Sequence, residues 1–241
     1  MKKIKRIVKK FIFGHKSDSI TYIKYLKSKG MIIGNNCNIW SPKQTLIDET
    51  RPWAIKIGNN VNITTGVKIL THGYDWSVIK GKEGKVYGSY GKVVIGDNVF
   101  IGMNTIILKG VRIGNNVIIG AGSVVTKNIK SNSVAVGNPA KVIFSLTEYE
   151  NKIRENQLEQ AFSLFNDYYV RYEKIPDETI FDEFFFLFKN NIQTLNSKEL
   201  KQLKNTGNLQ KSINVLENNK KMFSNFEEFK KYCINKIENR K

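Results

Sequence analysis

Three residues able to do chemistry fall close together in the stretch ILTHGYDWS, which runs from Ile69 to Ser77: His72, Asp75 and Trp76. An imidazole, with an unperturbed pKa of about 6.5, can both take and return a proton at neutral pH. A nearby carboxylate can hold the ring, and an indole offers a large apolar face with one N–H donor. The chain has only one other histidine, His15, in a basic arm, and no role is assigned to it. An isolated loop histidine is more often a capping or hydrogen-bonded turn residue, so its surroundings must decide.

Those surroundings are a repeat. From Val93 the chain reads VVIGDN VFIGMN TIILKG VRIGNN VIIGAG SVVTKN, with Ile95, Ile101, Ile107, Ile113, Ile119 and Val125 recurring at every sixth residue. A helix cannot use a period of six, and an ordinary amphipathic strand would alternate. One inward aliphatic per unit, followed by Gly or Asn, means short flat strands joined by tight corners. Three sides close a coil of about 18 residues, and stacked coils bury their aliphatics against one another. The pattern predicts a parallel β-helix. The frame is present earlier as IGNNCN from Ile33 and IGNNVN from Ile57, 24 residues apart, which reads as four whole hexads. From Ile69 to Ile95 is 26 residues, not a multiple of six. A segment of residues 71–92 therefore leaves the scaffold, and His72 marks the exit, where function usually sits.

Charge and glycine divide the chain. The net charge is +18; residues 1–29 hold ten Lys/Arg against one acid, whereas residues 148–241 are nearly balanced. Seventeen of the eighteen glycines precede residue 148. We expect a basic N-terminal helical segment (1–29), a β-helix domain (30–147) and an α-helical extension (148–241). In the extension, Leu158, Phe162, Phe165, Tyr169 and Tyr172 recur at helical steps, the stretch 177–190 continues as helix, and Ser224 with Glu227 forms a capping box. Cys37 and Cys233 lack disulfide-framework or metal spacing, no apolar run approaches a membrane span, and the basic start does not read as a secretory signal; together they fit a cytoplasmic protein. Residues 2–13 can form a basic amphipathic helix on an anionic membrane surface, or a solvated arm.

The stretch RPWAIKIGNNVNITTGVKILTH, then a loop, then GKVVIGDN through IGAGSVVTK and VAVGNPAKVI, closely resembles the hexapeptide-repeat acyltransferases, over about residues 30–145. The resemblance is nearest to the maltose/galactoside-type and the capsule or lipopolysaccharide O-acetyltransferases. It implies a left-handed β-helix, a homotrimer with sites between subunits, and acetyl-CoA as acyl donor without a metal. The loop histidine of that family matches His72, the base that deprotonates an acceptor hydroxyl as it attacks the thioester. Relatives of the capsule group often carry an acid directly after the histidine. This chain has Gly73 there, so either Asp75 or a backbone carbonyl is expected to orient the ring. The resemblance places coenzyme A along Gly102, Met103, Ala121, Thr126, Lys127 and Lys141, with the Gly102 N–H as a plausible oxyanion donor. Trp76 is a candidate for the acceptor site, and Trp53 and Phe100 for the trimer interface.

The leading expectation is O-acetylation of a sugar hydroxyl in surface polysaccharide synthesis. N-acetylation of an amino sugar on a nucleotide carrier needs the same scaffold, and a non-catalytic β-helix scaffold protein is the rival outside catalysis. A zinc carbonic anhydrase on this scaffold needs three histidine ligands per metal and fails with two histidines in the chain. No nucleic-acid-binding motif accompanies the positive charge.

Overall fold

The computed structural model describes residues 11–205 and 207–239. The expected membrane-surface helix over residues 2–13 therefore lies, apart from its last three residues, outside the described part. Two compact units are present, Met1–Tyr149 and Glu150–Lys241.

The first unit is a three-sided stack of parallel strands. One face is built from β1 (Ile32–Ile33), β4 (Ile55–Ile57), β7 (Val93–Ile95) and β10 (Arg112–Ile113). The second holds β2 (Asn38–Ile39), β5 (Asn62–Ile63), β8 (Val99–Ile101), β11 (Val117–Ile119) and β13 (Ser133–Val136). It is closed by β14 (Lys141–Ser145), which runs antiparallel to β13. The third holds β3 (Leu46–Ile47), β6 (Lys68–Ile69), β9 (Ile106–Ile107) and β12 (Val124–Val125). Ile95 pairs with Ile113, Ile101 with Ile119 and Ile107 with Val125, partners 18 residues apart, so one coil is three hexads. The hexad aliphatics point inward and form a single core from Ile33 to Ile129. Each such side chain, fully buried, contributes about 1.5–3 kcal/mol.

The corners explain the glycine and asparagine content. Asn36, Asn60, Asn98, Asn116 and Asn132 all take the left-handed conformation, with φ between 54° and 57°. Their amides form ladders, Asn98 Nδ2 to Asn116 Oδ1 and Asn116 Nδ2 to Asn132 Oδ1, each 2.9 Å.

The first coil departs from the expected reading. Ile33 pairs with Ile57, so the 24 residues between them are one coil and not four hexads. The extra residues enlarge two corners, one before β3 and one between β3 and β4. Helix α1 (Ser19–Ser28) starts at Asp18, whose carboxylate caps Thr21 N at 2.8 Å. Its Tyr22 and Leu26 join the β-helix core.

The second unit is helical and aromatic. Beyond α2 (Trp76–Glu83), α3 (Leu146–Tyr172) leads into it, followed by α4 (Ser197–Lys204), α5 (Leu209–Glu217) and α6 (Phe226–Glu238). Phe162 and Phe165 of the expected stripe are buried, with Phe181, Phe185, Phe188, Phe226, Phe229 and Cys233, whereas Tyr172 is exposed. Residues 177–190 form 3₁₀ turns (Glu178–Phe181 and Phe185–Leu187) and not the continuous helix expected. The cap of α6 is also one residue later than expected: Asn225 caps Glu228 N at 3.0 Å, while Ser224 binds the Glu228 carboxylate.

Candidate active site

The third face brings together two residues that the sequence keeps 24 positions apart. Asp48 follows β3, and its N–H donates to Ile69 O at 3.0 Å, the end of β6 on the adjacent rung. His72 follows β6 after two more residues, so both side chains emerge at one corner. The His72 Nδ1 lies 2.7 Å from Asp48 Oδ2.

Asp48 is almost fully buried, with 6% of its surface exposed. Burial alone would push its carboxyl pKa up. Bonds from Thr50, Thr71 and His72 outweigh burial and hold it well below the usual carboxylate range. Oδ1 accepts from Thr50 N (3.0 Å) and Thr50 Oγ1 (2.6 Å), and Oδ2 accepts from Thr71 N (3.2 Å) and from the Thr71 hydroxyl. An ionised carboxylate only accepts, so Nδ1 carries the ring proton. When the ring is neutral its lone pair is on Nε2, which bonds to no described residue. This is the tautomer a general base needs.

The excursion is pinched at its base. His72 and Tyr90 form an antiparallel bridge, and Gly91 N donates to Thr71 O at 2.9 Å. Gly91 permits the closure, because a Cβ there would lie 2.4 Å from Gly110 N. Between these points the chain forms α2 (Trp76–Glu83), ended by Gly84 in the left-handed conformation, φ 73°. Tyr74 meets His72 edge to face at 5.3 Å, and Trp76 packs against Tyr74 at 6.1 Å, so the expected acceptor residue Trp76 stands within this aromatic cluster. Asp75 immediately precedes α2. Its Oδ1 fills the space beside Gly73, 2.6 Å from where a Cβ on Gly73 would be. The ring-orienting role expected of Asp75 or of a backbone carbonyl is thus taken by Asp48.

The residues expected along coenzyme A lie farther up the stack. Gly102 packs against the next coil so closely that a Cβ would lie 2.4 Å from Ala121 N. Gly122 N donates to Met103 O at 2.7 Å. Gly102, Met103, Ala121 and Gly122 therefore form a narrow step between coils. The Gly102 N–H donates to Ile119 O at 2.8 Å, so it is spent in the strand ladder and is not the oxyanion donor that was expected. Thr126 and Lys127 follow β12 and are exposed; exposed Lys141 starts β14. Two bonds tie these segments together, Val124 N to Gly137 O and Ala140 N to Val124 O, both 2.9 Å. Among the described residues, no hydrogen bond or ion pair joins His72 to this second group. No group of three or more metal-ligating side chains occurs among them either.

A family model described as bacterial transferase hexapeptide, of six repeats, matches residues 92–127. Protein CapG of Staphylococcus aureus is 45% identical over 131 residues, which is 54% of this chain and 75% of CapG. The chain belongs to the bacterial hexapeptide transferases. Among solved structures, a maltose O-acetyltransferase from Clostridium difficile 630 is 32% identical to this transferase. The match covers 52% of this chain and 75% of that one, with a TM-score of 0.37. A hexapeptide-repeat acetyltransferase of Vibrio cholerae complexed with acetyl coenzyme A is 22% identical, covering 59% and 85%, with a TM-score of 0.43.

Within this transferase, Asp48 is the candidate-site residue that sequence reasoning missed. It lies in an enlarged corner where the six-residue frame is silent. The one signal was the acid-rich DE following Leu46–Ile47 on the face that, one coil later, carries Thr71 and His72.

Proposed function

We propose that this transferase is an acetyl-CoA-dependent O-acetyltransferase acting on a sugar hydroxyl of a surface polysaccharide. The observation that carries the reading is the His72–Asp48 pair at the loop exit. The acceptor hydroxyl gives its proton to His72 Nε2 as its oxygen attacks the thioester carbonyl. The tetrahedral intermediate collapses, the C–S bond breaks, and the imidazolium returns the proton to the departing thiolate. Asp48 stabilises the charged ring between these steps. Holding both substrates in one complex supplies proximity.

Coenzyme A is long and anionic. The step formed by Gly102, Met103 and Ala121 suits its thin pantetheine arm, and Thr126, Lys127 and Lys141 suit its phosphates, with lysines as point charges. Trp76, beside Tyr74 and His72, would line the acceptor side, and Asp75 would receive a hydroxyl there. A left-handed coil, a homotrimer with sites between subunits, and a cytoplasmic place of action, with residues 2–13 as a membrane contact, complete the reading.

The test is a thermal-shift titration with acetyl-CoA, with ATP and polyphosphate as polyanion controls. A ligand at 100 times its dissociation constant adds about 2.7 kcal/mol of stability. A saturable shift specific to acetyl-CoA and weakened in Lys127→Ala/Lys141→Ala is expected. An equal shift with every polyanion, or none, would sink the donor assignment. Release of coenzyme A in the presence of sugar acceptors, abolished by His72→Ala, tests the transfer.

A further inference from the structure

Lys109 lies in the corner after β9, beside the mouth of the loop that carries His72, and none of the roles above uses it. Its side chain is half-buried. The Nζ bonds the hydroxyl of Ser89, on the returning arm of the loop, and lies 3.8 Å from where a Cβ on Gly73 would be. Among the described residues no carboxylate lies within 4.0 Å of it, and the buried acid Asp48 is committed to His72. An ammonium has three donors, and a single neutral hydroxyl takes one. A half-buried cation with two spare donors and no carboxylate within ion-pair reach is a poor structural staple. It is a good receptor for an anion arriving from outside. The loop adds Lys80, Lys82, Lys85 and Lys92 against Asp75 and Glu83, so the approach is positive. Asp75 also flanks Gly73, its Oδ1 2.6 Å from the same Cβ point. One cation and one acid beside the same glycine suit a ligand with one negative charge and neighbouring hydroxyls. A doubly charged phosphate would call for more cations.

We infer that Lys109 selects the acceptor, and that the acceptor is an acidic sugar whose carboxylate binds the Lys109 ammonium while its hydroxyl faces His72. The inference rests on the transferase reading of His72 for its place in the reaction, but not for its binding test.

The probes are two matched pairs: methyl glucuronide with methyl glucoside, and methyl galacturonide with methyl galactoside. Saturation-transfer NMR on His72→Ala, which cannot turn over, reads binding without catalysis. Each uronide is expected to bind roughly tenfold or more tightly than its neutral partner, a worth of one hydrogen bond to a charged group. That preference should vanish in His72→Ala/Lys109→Met, which keeps the aliphatic stem, and should weaken with added salt. In the active enzyme, Lys109→Met is expected to raise KM for the uronide about tenfold with kcat little changed, and Lys109→Arg to restore part of it. Melting curves check that each variant folds. Equal binding of uronide and neutral glycoside, or a uronide preference that survives Lys109→Met, overturns the inference. Loss of coenzyme A release in no His72 variant would instead overturn the transferase reading and leave the binding result standing.

Discussion

Asp48 Oδ2 and His72 Nδ1 stand 2.7 Å apart across two rungs of one β-helix face, joining an enlarged corner of the first coil to the exit of the loop. The arrangement fixes which ring nitrogen is free. Asp48→Asn would keep the shape but let the amide donate to Nδ1, reversing the tautomer. In a catalytic triad, the same change of acid to amide costs roughly 10⁴-fold in kcat. Here kcat is expected to fall roughly 10²–10⁴-fold, with acetyl-CoA binding intact. Asp75→Asn should fall by less than about tenfold. Steady-state release of coenzyme A from both variants checks this. A larger loss from Asp75→Asn than from Asp48→Asn would return the orienting role to Asp75.

The same carboxylate links stability to acid. Its hydrogen bonds depress the folded pKa below the unfolded value of about 3.9. A depressed carboxyl contributes stability that is fully present above the unfolded pKa and is lost as pH falls toward the folded one. Thermal melts should therefore show a drop below about pH 4 that is shallower in Asp48→Asn. Identical acid profiles for the two proteins would mean that the Thr50 and Thr71 bonds contribute nothing net.

The scaffold was legible in the sequence because a hexad repeat encodes itself: each inward aliphatic at Ile95, Ile101 or Ile107 stacks on the like residue 18 positions on. The loop exit at His72 was legible because the excursion interrupts that count. Asp48 was not, because corners of the first coil grow without a local signal, and 24 residues between Ile33 and Ile57 imitate four hexads. The oxyanion expectation for the Gly102 N–H failed for a related reason. A period shows which residues stack but not which N–H the ladder consumes. The 3₁₀ turns near Phe181 and Phe185 were read as helix because a dense run of phenylalanines satisfies helical spacing in any register.

Gly91 closes the loop by contact and not by conformation. A Cβ there would lie 2.4 Å from Gly110 N and 2.9 Å from Lys109 C, both backbone atoms that cannot swing aside. Gly91→Ala should break the Gly91–Thr71 bond, destabilise the fold by about 1–3 kcal/mol, and release the corner that holds His72. The expected signature is a lowered Tm with a larger fall in kcat than in acetyl-CoA affinity. Gly88→Ala, where a Cβ meets open space, is the control and should change little. Matching behaviour of the two variants would count against a pinched base.

In the helical unit, Lys189 is the counterion of a fully buried acid. Its Nζ reaches both Glu199 oxygens at 2.9 Å, the Glu178 carboxylate and Thr194 O at 3.2 Å. Glu199 also accepts from Asn196 N at 2.8 Å, closing the capping box of α4. Burial alone would lower the Lys189 pKa, but the two carboxylates outweigh it and raise it. Removing the ammonium strands a charge with no exposed surface, a loss of about 3–5 kcal/mol. Lys189→Met should therefore destabilise strongly, and Lys189→Met/Glu199→Gln less so, because the stranded charge is gone. A raised lysine pKa gives stability that is present below the unfolded value of about 10.4 and lost as pH rises through the folded one. The wild type should thus lose stability above about pH 10.4, and the double variant should lose less. Urea unfolding of the full chain at neutral and alkaline pH measures both effects. A double variant less stable than Lys189→Met would show that the pair contributes through packing and capping more than through charge.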